Sequence, residues 1–81
     1  MHFPVVFSLK VVGTVAANLE AIIVPVMQKN NVDLEHMRMS ARLSANGNYT
    51  SFTVTFMAKS QQQLDDIYRA LSSDPAVIIV L

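Results

Sequence analysis

Between Val5 and Val12 apolar and polar side chains alternate, with Phe7, Leu9 and Val11 set against Ser8 and Lys10. A period of two sends alternate side chains to opposite faces, so the segment reads as a strand with Phe7, Leu9 and Val11 inward. Gly13 is expected to end it. From Val15 to Lys29 the period changes, and Leu19, Ile22, Ile23 and Val26 fall at i, i+3, i+4 and i+7 along one side of a helix. Pro25 has no amide to donate to the carbonyl of Ala21 and its ring crowds that group, at an expected cost of about 3 kcal/mol. It lies off the apolar stripe, so the helix is expected to persist with a kink or a local bulge. Asn30 and Asn31 close it.

Alternation returns from Leu34 to Ser44, with Met37, Met39, Ala41 and Leu43 inward and His36, Arg38, Ser40 and Arg42 outward. Asn46-Gly47 follows, the dipeptide best suited to a tight hairpin because both residues tolerate positive φ. Tyr49 to Met57 then supplies a third strand, with Thr50, Phe52, Val54 and Phe56 inward and Ser51, Thr53 and Thr55 outward. Ser60 to Gln63 matches a capping box, opening a second helix whose buried stripe is Leu64, Ile67, Tyr68 and Leu71. Asp65 and Arg69 are expected to pair on its outer face, and Asp74-Pro75 ends it. Ala76 to Leu81 is short, branched and apolar, a fourth strand.

The order is βαββαβ without linker or repeat. It predicts one α+β domain over residues 1–81, a ferredoxin-like sandwich of a four-stranded antiparallel sheet with two helices on one face. Right-handed crossovers place the first and third strands centrally and the second and fourth at the edges.

Composition narrows the function classes. Six basic residues offset six acidic ones, which removes the overall attraction that nucleic-acid and membrane-surface proteins use. The chain has no cysteine, hence no disulfide, thiolate nucleophile or thiolate metal site. Met1 to Lys10 lacks a basic segment ahead of a long apolar stretch, and no apolar run reaches the roughly 18–20 residues that span a bilayer. A cytoplasmic protein with no membrane association is expected.

The uncovered sheet face is expected to carry Lys10, His36, Arg38 and Arg42 among hydroxyls. Lys10, Arg38, Arg42, Tyr49 and Thr53 are the candidate docking residues for an anionic ligand or acidic partner. Its plainer reading is a solvated face that keeps the protein soluble. RNA recognition on such a sheet needs two or three stacking rings on the central strands, and only Tyr49 has the parity, so no nucleic-acid partner is expected. His2 and His36 share no ligand spacing, and Met37 and Met39 point inward as core filler, so neither a metal nor a cofactor is expected. Val12-Gly13-Thr14-Val15 resembles the anion-cradling turn of small acyl-phosphate hydrolases, but Ala16, Ala17 and Asn18 stand where their arginine is found. An enzyme of that acylphosphatase-like kind is therefore only the alternative to a non-catalytic module.

Several stretches together carry a family resemblance. They are Phe3-Pro4, Leu9 to Gly13, Ser44 to Thr55, Ala58 to Ser60, Gln63 to Leu71 and Pro75 to Val77. They resemble the YbeD-like family of short bacterial proteins of unknown function. The resemblance implies a bacterial cytoplasmic protein with a fold similar to the ACT domains that regulate amino-acid enzymes, and an association with lipoate metabolism has been suggested for the family. It implies Gly13, with Thr14 beside it, as candidate ligand-binding positions, although a glycine there is also needed sterically in many strand-to-helix turns. The expected function is a regulatory or adaptor module that binds a protein or small metabolite without altering it. The run Val77, Ile78, Ile79 and Val80 lacks the charges, proline or bulge that usually blunt an edge strand, and a homodimer through it is expected. Only one parity of that run can be covered by helices, leaving either Ile78 and Val80, or Val77, Ile79 and Leu81, on the open side.

Overall fold

The computed structural model describes residues 2–81, leaving Met1 of the expected domain outside. Strands β1 (Val5–Thr14), β2 (Arg38–Leu43), β3 (Tyr49–Ala58) and β4 (Val77–Val80) form one antiparallel sheet in the order β2-β3-β1-β4. The central and edge strands are those the crossover rule selects. Helices α1 (Leu19–Lys29) and α2 (Gln61–Ser72) supply the second layer of this ferredoxin-like fold. Among the described residues no helix is long and apolar enough to cross a membrane.

On β1 and β3 the core agrees with the alternation, while on β2 Ala41 and Leu43, expected inward, are exposed. Leu9, Val11, Val54, Phe56 and Ala58 of the sheet are buried with Leu19, Ile23 and Met27 of α1 and Leu64, Ile67 and Leu71 of α2. Each large side chain removed from water contributes about 1.5–3 kcal/mol. The ring of Phe7 meets Phe56 and Tyr68 edge-on, at centroid distances of 6.2 and 6.4 Å, joining sheet to helix. Burial pushes the Tyr68 phenol above its ordinary pKa.

Several boundaries differ from the sequence reading. Gly13 does not end β1, which continues through it to Thr14. The helix begins at Leu19 rather than Val15, because the Val15 amide donates to Asn48 O and the Ala17 amide to Thr14 O. Asn18 caps it, its Oδ1 accepting from the Ala21 amide at 3.3 Å. The helix runs through Pro25, whose exposed ring faces away from the core. Asn31 closes it with φ of 64°, a left-handed conformation that asparagine tolerates.

His36 is not a strand residue. It lies in a single 3-10 turn over Leu34–His36, where Asp33 accepts both from the Glu35 amide, at 3.1 Å, and from His36 Nδ1, at 2.7 Å. That side-chain hydrogen bond holds the Asp33 carboxyl below its ordinary pKa, against an opposing effect of desolvation. A depressed carboxylate pKa means the contact stabilises the fold above the ordinary value and is lost as pH falls through the depressed one. His36→Ala is expected to raise the Asp33 pKa back toward 3.8 in a carbon-detected NMR titration. An unchanged Asp33 titration would show that the histidine does not hold the carboxylate.

The hairpin is wider than a two-residue turn. Ser44 N donates to Tyr49 O, and Gly47 N donates to Ser44 O across a four-residue turn in which Gly47 alone has positive φ, at 76°. The capping box is displaced by one residue: Ser60 Oγ accepts from the Gln63 amide, but Gln63 Oε1 reaches past Ser60 to the Lys59 amide. Gln63 Nε2 then donates to Asn30 O at 2.8 Å, tying the end of α1 to the start of α2. Arg69 pairs with Asp66 at 3.3 Å instead of Asp65, which accepts from Gln61 Nε2.

β4 departs most. A register shift between Val12 and Gly13 places Val80 opposite Val11, Ile79 opposite Val12 and Val77 opposite Gly13, so Ile78 is the extra residue of a bulge. The edge expected to lack a bulge has one. Neither alternation set survives: Val77 and Val80 both pack inward, and the neighbours Ile78 and Ile79 are both exposed.

Candidate functional site

Because Leu9 and Val11 point to the helices, Ser8, Lys10, Val12 and Thr14 of β1 point to the open face. There they stand opposite Thr55, Thr53, Ser51 and Tyr49 of β3. Arg38, Ser40 and Arg42 of β2 extend the same rows beyond Thr55, Thr53 and Ser51. On the other flank Ile79 lies opposite Val12, and Leu81 exchanges backbone hydrogen bonds with Lys10 at 2.9 and 2.8 Å. The open face therefore runs from arginines on β2, across a floor of hydroxyls, to isoleucine and leucine on the β4 flank.

The charge separation is complete on the strands. All six side-chain carboxylates lie elsewhere: Glu20 on α1, Asp33 and Glu35 at the 3-10 turn, Asp65 and Asp66 on α2, and Asp74 before β4. Among the described residues Lys10, Arg38 and Arg42 enter no ion pair. A chain of zero net charge thus presents a positive sheet face.

The structure brings Lys10, Arg42, Tyr49 and Ser51 together along an open groove of about 380 Å³ near the β2–β3 hairpin. Thr53 is half-buried on the open face between Lys10 and Ser40. Arg38 sits farther along β2, outside the groove. A second hollow of about 430 Å³ lies at the opposite end, between Val6, Met57 and the 3-10 turn. Its charged rim is already engaged, since Asp33 pairs with His36 and Lys59 Nζ donates to Asn31 O at 2.7 Å.

Thr14 is exposed beside Tyr49, and Gly13 is closely packed: a Cβ there would lie 2.7 Å from Leu19 Cδ2 and 2.9 Å from Ala76 O. In the following turn the amides of Val15 and Ala17 are already engaged by Asn48 and Thr14 carbonyls, so they are not turned outward to hold an anion.

The apolar part of the face was only partly legible in the sequence: alternation offered Ile79 and Leu81 within one of two outward sets, and Val6, Val12 and Met57 were not assigned to the face. Val6, Met57, Ile79 and Leu81 are 46–63% exposed, and Val12 lies among the hydroxyls. The parity that sends Lys10 outward also sends Val6 and Val12 outward, so that much of the signal was present. Exposure of Ile78 beside Ile79 depends on the bulge, which alternation cannot show.

Solved structures similar to this chain include protein HP0495 from H. pylori, with a TM-score of 0.81 at 15% identity, covering 100% of this chain and 85% of that one. An ACT domain from the GTP pyrophosphokinase of Chlorobium tepidum superposes with a TM-score of 0.69 at 17% identity, over 94% of each chain. At these identities the likeness concerns the fold. A UPF0250 protein from Paraburkholderia phytofirmans is 42% identical over 80 residues, 99% of this chain and 90% of its own length. Another from Neisseria meningitidis serogroup C is 38% identical over 81 residues, 100% of this chain and 89% of its own length. The match to the family described as "Protein of unknown function (DUF493)" extends over residues 1–81, and the chain belongs to that family of short bacterial proteins, as the YbeD-like resemblance implied.

Proposed function

We propose that the protein is a non-catalytic binding module whose open sheet face docks an acidic segment of another protein. The observation carrying this reading is the segregation of charge: Lys10, Arg38 and Arg42 share one face without an ion pair, and no strand carries a carboxylate. Gathering like charges on one face of a neutral chain leaves a patch that steers an oppositely charged partner. The hydroxyl of Thr53 between them offers a hydrogen bond to a carboxylate, while that of Ser51 points at Arg42 O, at 3.5 Å. Ser8 and Thr55 are bonded to one another at 2.8 Å and form the adjoining floor. The fold is shared with a domain of a GTP pyrophosphokinase, but fold alone transfers no ligand. The suggested association with lipoate metabolism supplies a pool of partners to screen.

The test uses a glutamate-rich peptide, followed by amide NMR of the protein. Shifts are expected along the open faces of β1, β2 and β3, and the peptide should be recovered chemically unchanged. Replacing Lys10, Arg38 and Arg42 together with Glu is expected to weaken binding by at least about tenfold, equivalent to about 1.4 kcal/mol. Because all three are exposed, the melting temperature should stay within a few degrees. Shifts confined to the helices, or equal binding by the triple variant, would remove the open face from the function.

A further inference from the structure

We infer that the occupant of the open face is an amphipathic acidic helix of a partner protein, a conclusion that rests on the docking reading above. Apart from Val6 and Met57 at one end, the face is divided lengthwise. Arg38 and Arg42 occupy one flank, on β2, while Ile79 and Leu81 occupy the other, with Val12 beside them and Lys10 between. An acidic segment alone would leave Ile79 and Leu81 uncovered, at 46% and 62% exposure. A purely apolar one would bury the arginines unpaired, which is costly. Only an occupant with carboxylates along one side and apolar side chains along the other satisfies both flanks.

The geometry of a sheet face selects a helix for that occupant. A segment lying across the face meets side chains rather than free ladder groups, so it must satisfy its own backbone, as a helix does. Three strand spacings make the sheet about 14 Å wide, and a helix with its side chains is about 10–12 Å across. One helix laid along the strands thus reaches both flanks. Arg38 and Arg42 are four residues apart on β2, about 13 Å at the rise of a strand. At the helical rise of about 1.5 Å this spacing matches carboxylates at i and i+8, with one at i+4 facing the level of Lys10. Docking would turn the two-layer sandwich into three layers, the usual way both faces of a sheet are covered.

Helix α2 of a second copy does not offer such a surface. The apolar stripe of α2 is buried in its own core, and its outer residues Gln61, Gln62, Asp65 and Arg69 carry no apolar side. The β4 edge is four residues long and bulged, which limits ladder pairing with another copy.

The experiment compares two peptides of about 16 residues and identical composition. One carries Glu at i, i+4 and i+8 on one flank and Leu on the other, and the second is shuffled to destroy the division. The divided peptide is expected to bind about tenfold more tightly, becoming helical by circular dichroism as it does. Ile79→Ser and Leu81→Ser should reduce its affinity to that of the shuffled peptide, and Arg42→Gln should weaken both. Equal affinities would overturn the helix inference while leaving an acidic partner in place, and binding by neither would remove the docking reading itself. Stronger association with vesicles rich in phosphatidylglycerol would replace the helix by a lipid surface. A dimer in sedimentation that is dissociated by Ile79→Ser and excludes the peptide would assign the face to a second copy.

Discussion

Replacing Ile67 with aspartate is expected to unfold the domain. The side chain is fully buried between α2 and the sheet, in a cluster whose members are hydrophobic. The substitution removes the transfer energy of an isoleucine, about 2–3 kcal/mol. It also places a carboxylate where no polar partner waits, a penalty of several kcal/mol more unless the group takes up a proton. The sum is at least about 5 kcal/mol, as large as the whole stability expected of a domain this small. Loss of the cooperative urea transition and of near-ultraviolet circular dichroism is the expected observation. Thr53→Asp is the control, since Thr53 lies on the opposite face between Lys10 and Ser40 and should cost less than about 1 kcal/mol. Phe52→Asp falls between them, because Phe52 is only partly buried where the helices no longer cover β3. A cooperatively folded Ile67→Asp protein would mean that the buried stripe of α2 is wrongly assigned, and an unfolded Thr53→Asp protein that the faces of the sheet are assigned the wrong way round.

Those assignments were legible because alternation depends only on which face is buried. Leu9 against Lys10 and Val54 against Thr53 needed no knowledge of neighbouring strands. Where the outcome depended on tertiary contacts, the same rule failed. Ala41 and Leu43 share the parity of Met39, yet both are exposed, since the helix layer does not extend over the hairpin end of β2. The first four residues assigned to the helix instead form the connection at which Asn48 captures the Val15 amide, a contact from the β2–β3 hairpin, which lies beside the end of β1 but far away in sequence. Its true start did leave a sequence signal in Asn18, a residue type that caps helices well. The cationic members of the candidate site followed from parity alone. Alternation offered Ile79 and Leu81 of its apolar flank within one of two sets, and choosing them required the pairing of β4 with β1.

Gly13→Ala is expected to destabilise the protein by about 2 kcal/mol, and Gly13→Val by more. The cause is contact rather than backbone strain. Gly13 is a strand residue opposite Thr50 and, across the bulge, Val77. An added Cβ would stand 2.7 and 3.1 Å from the two methyls of Leu19 and 2.9 Å from the carbonyl oxygen of Ala76. Leu19 is 1% exposed and has little room to turn away. The Ala76 carbonyl is held by its turn, in which the Ala76 amide donates to Asp74 Oδ1 at 2.9 Å and the Val77 amide donates to Asp74 O at 3.0 Å. Making space must therefore disturb either the first turn of α1 or the entry to β4, including the bulge that exposes Ile78 and Ile79. For a domain of this size the expected fall in melting temperature is on the order of 10 °C. A double-mutant cycle with Leu19→Ala tests the mechanism. If the leucine methyls are the obstacle, removing them should return part of the Gly13→Ala loss, as a coupling of about 0.5–3 kcal/mol. Additive effects would place the obstacle at Ala76 O instead. Glycine kept for a ligand's approach predicts another pattern, in which Gly13→Ala leaves the melting temperature unchanged and abolishes binding. A variant as stable as the parent protein would therefore sink the packing account of Gly13.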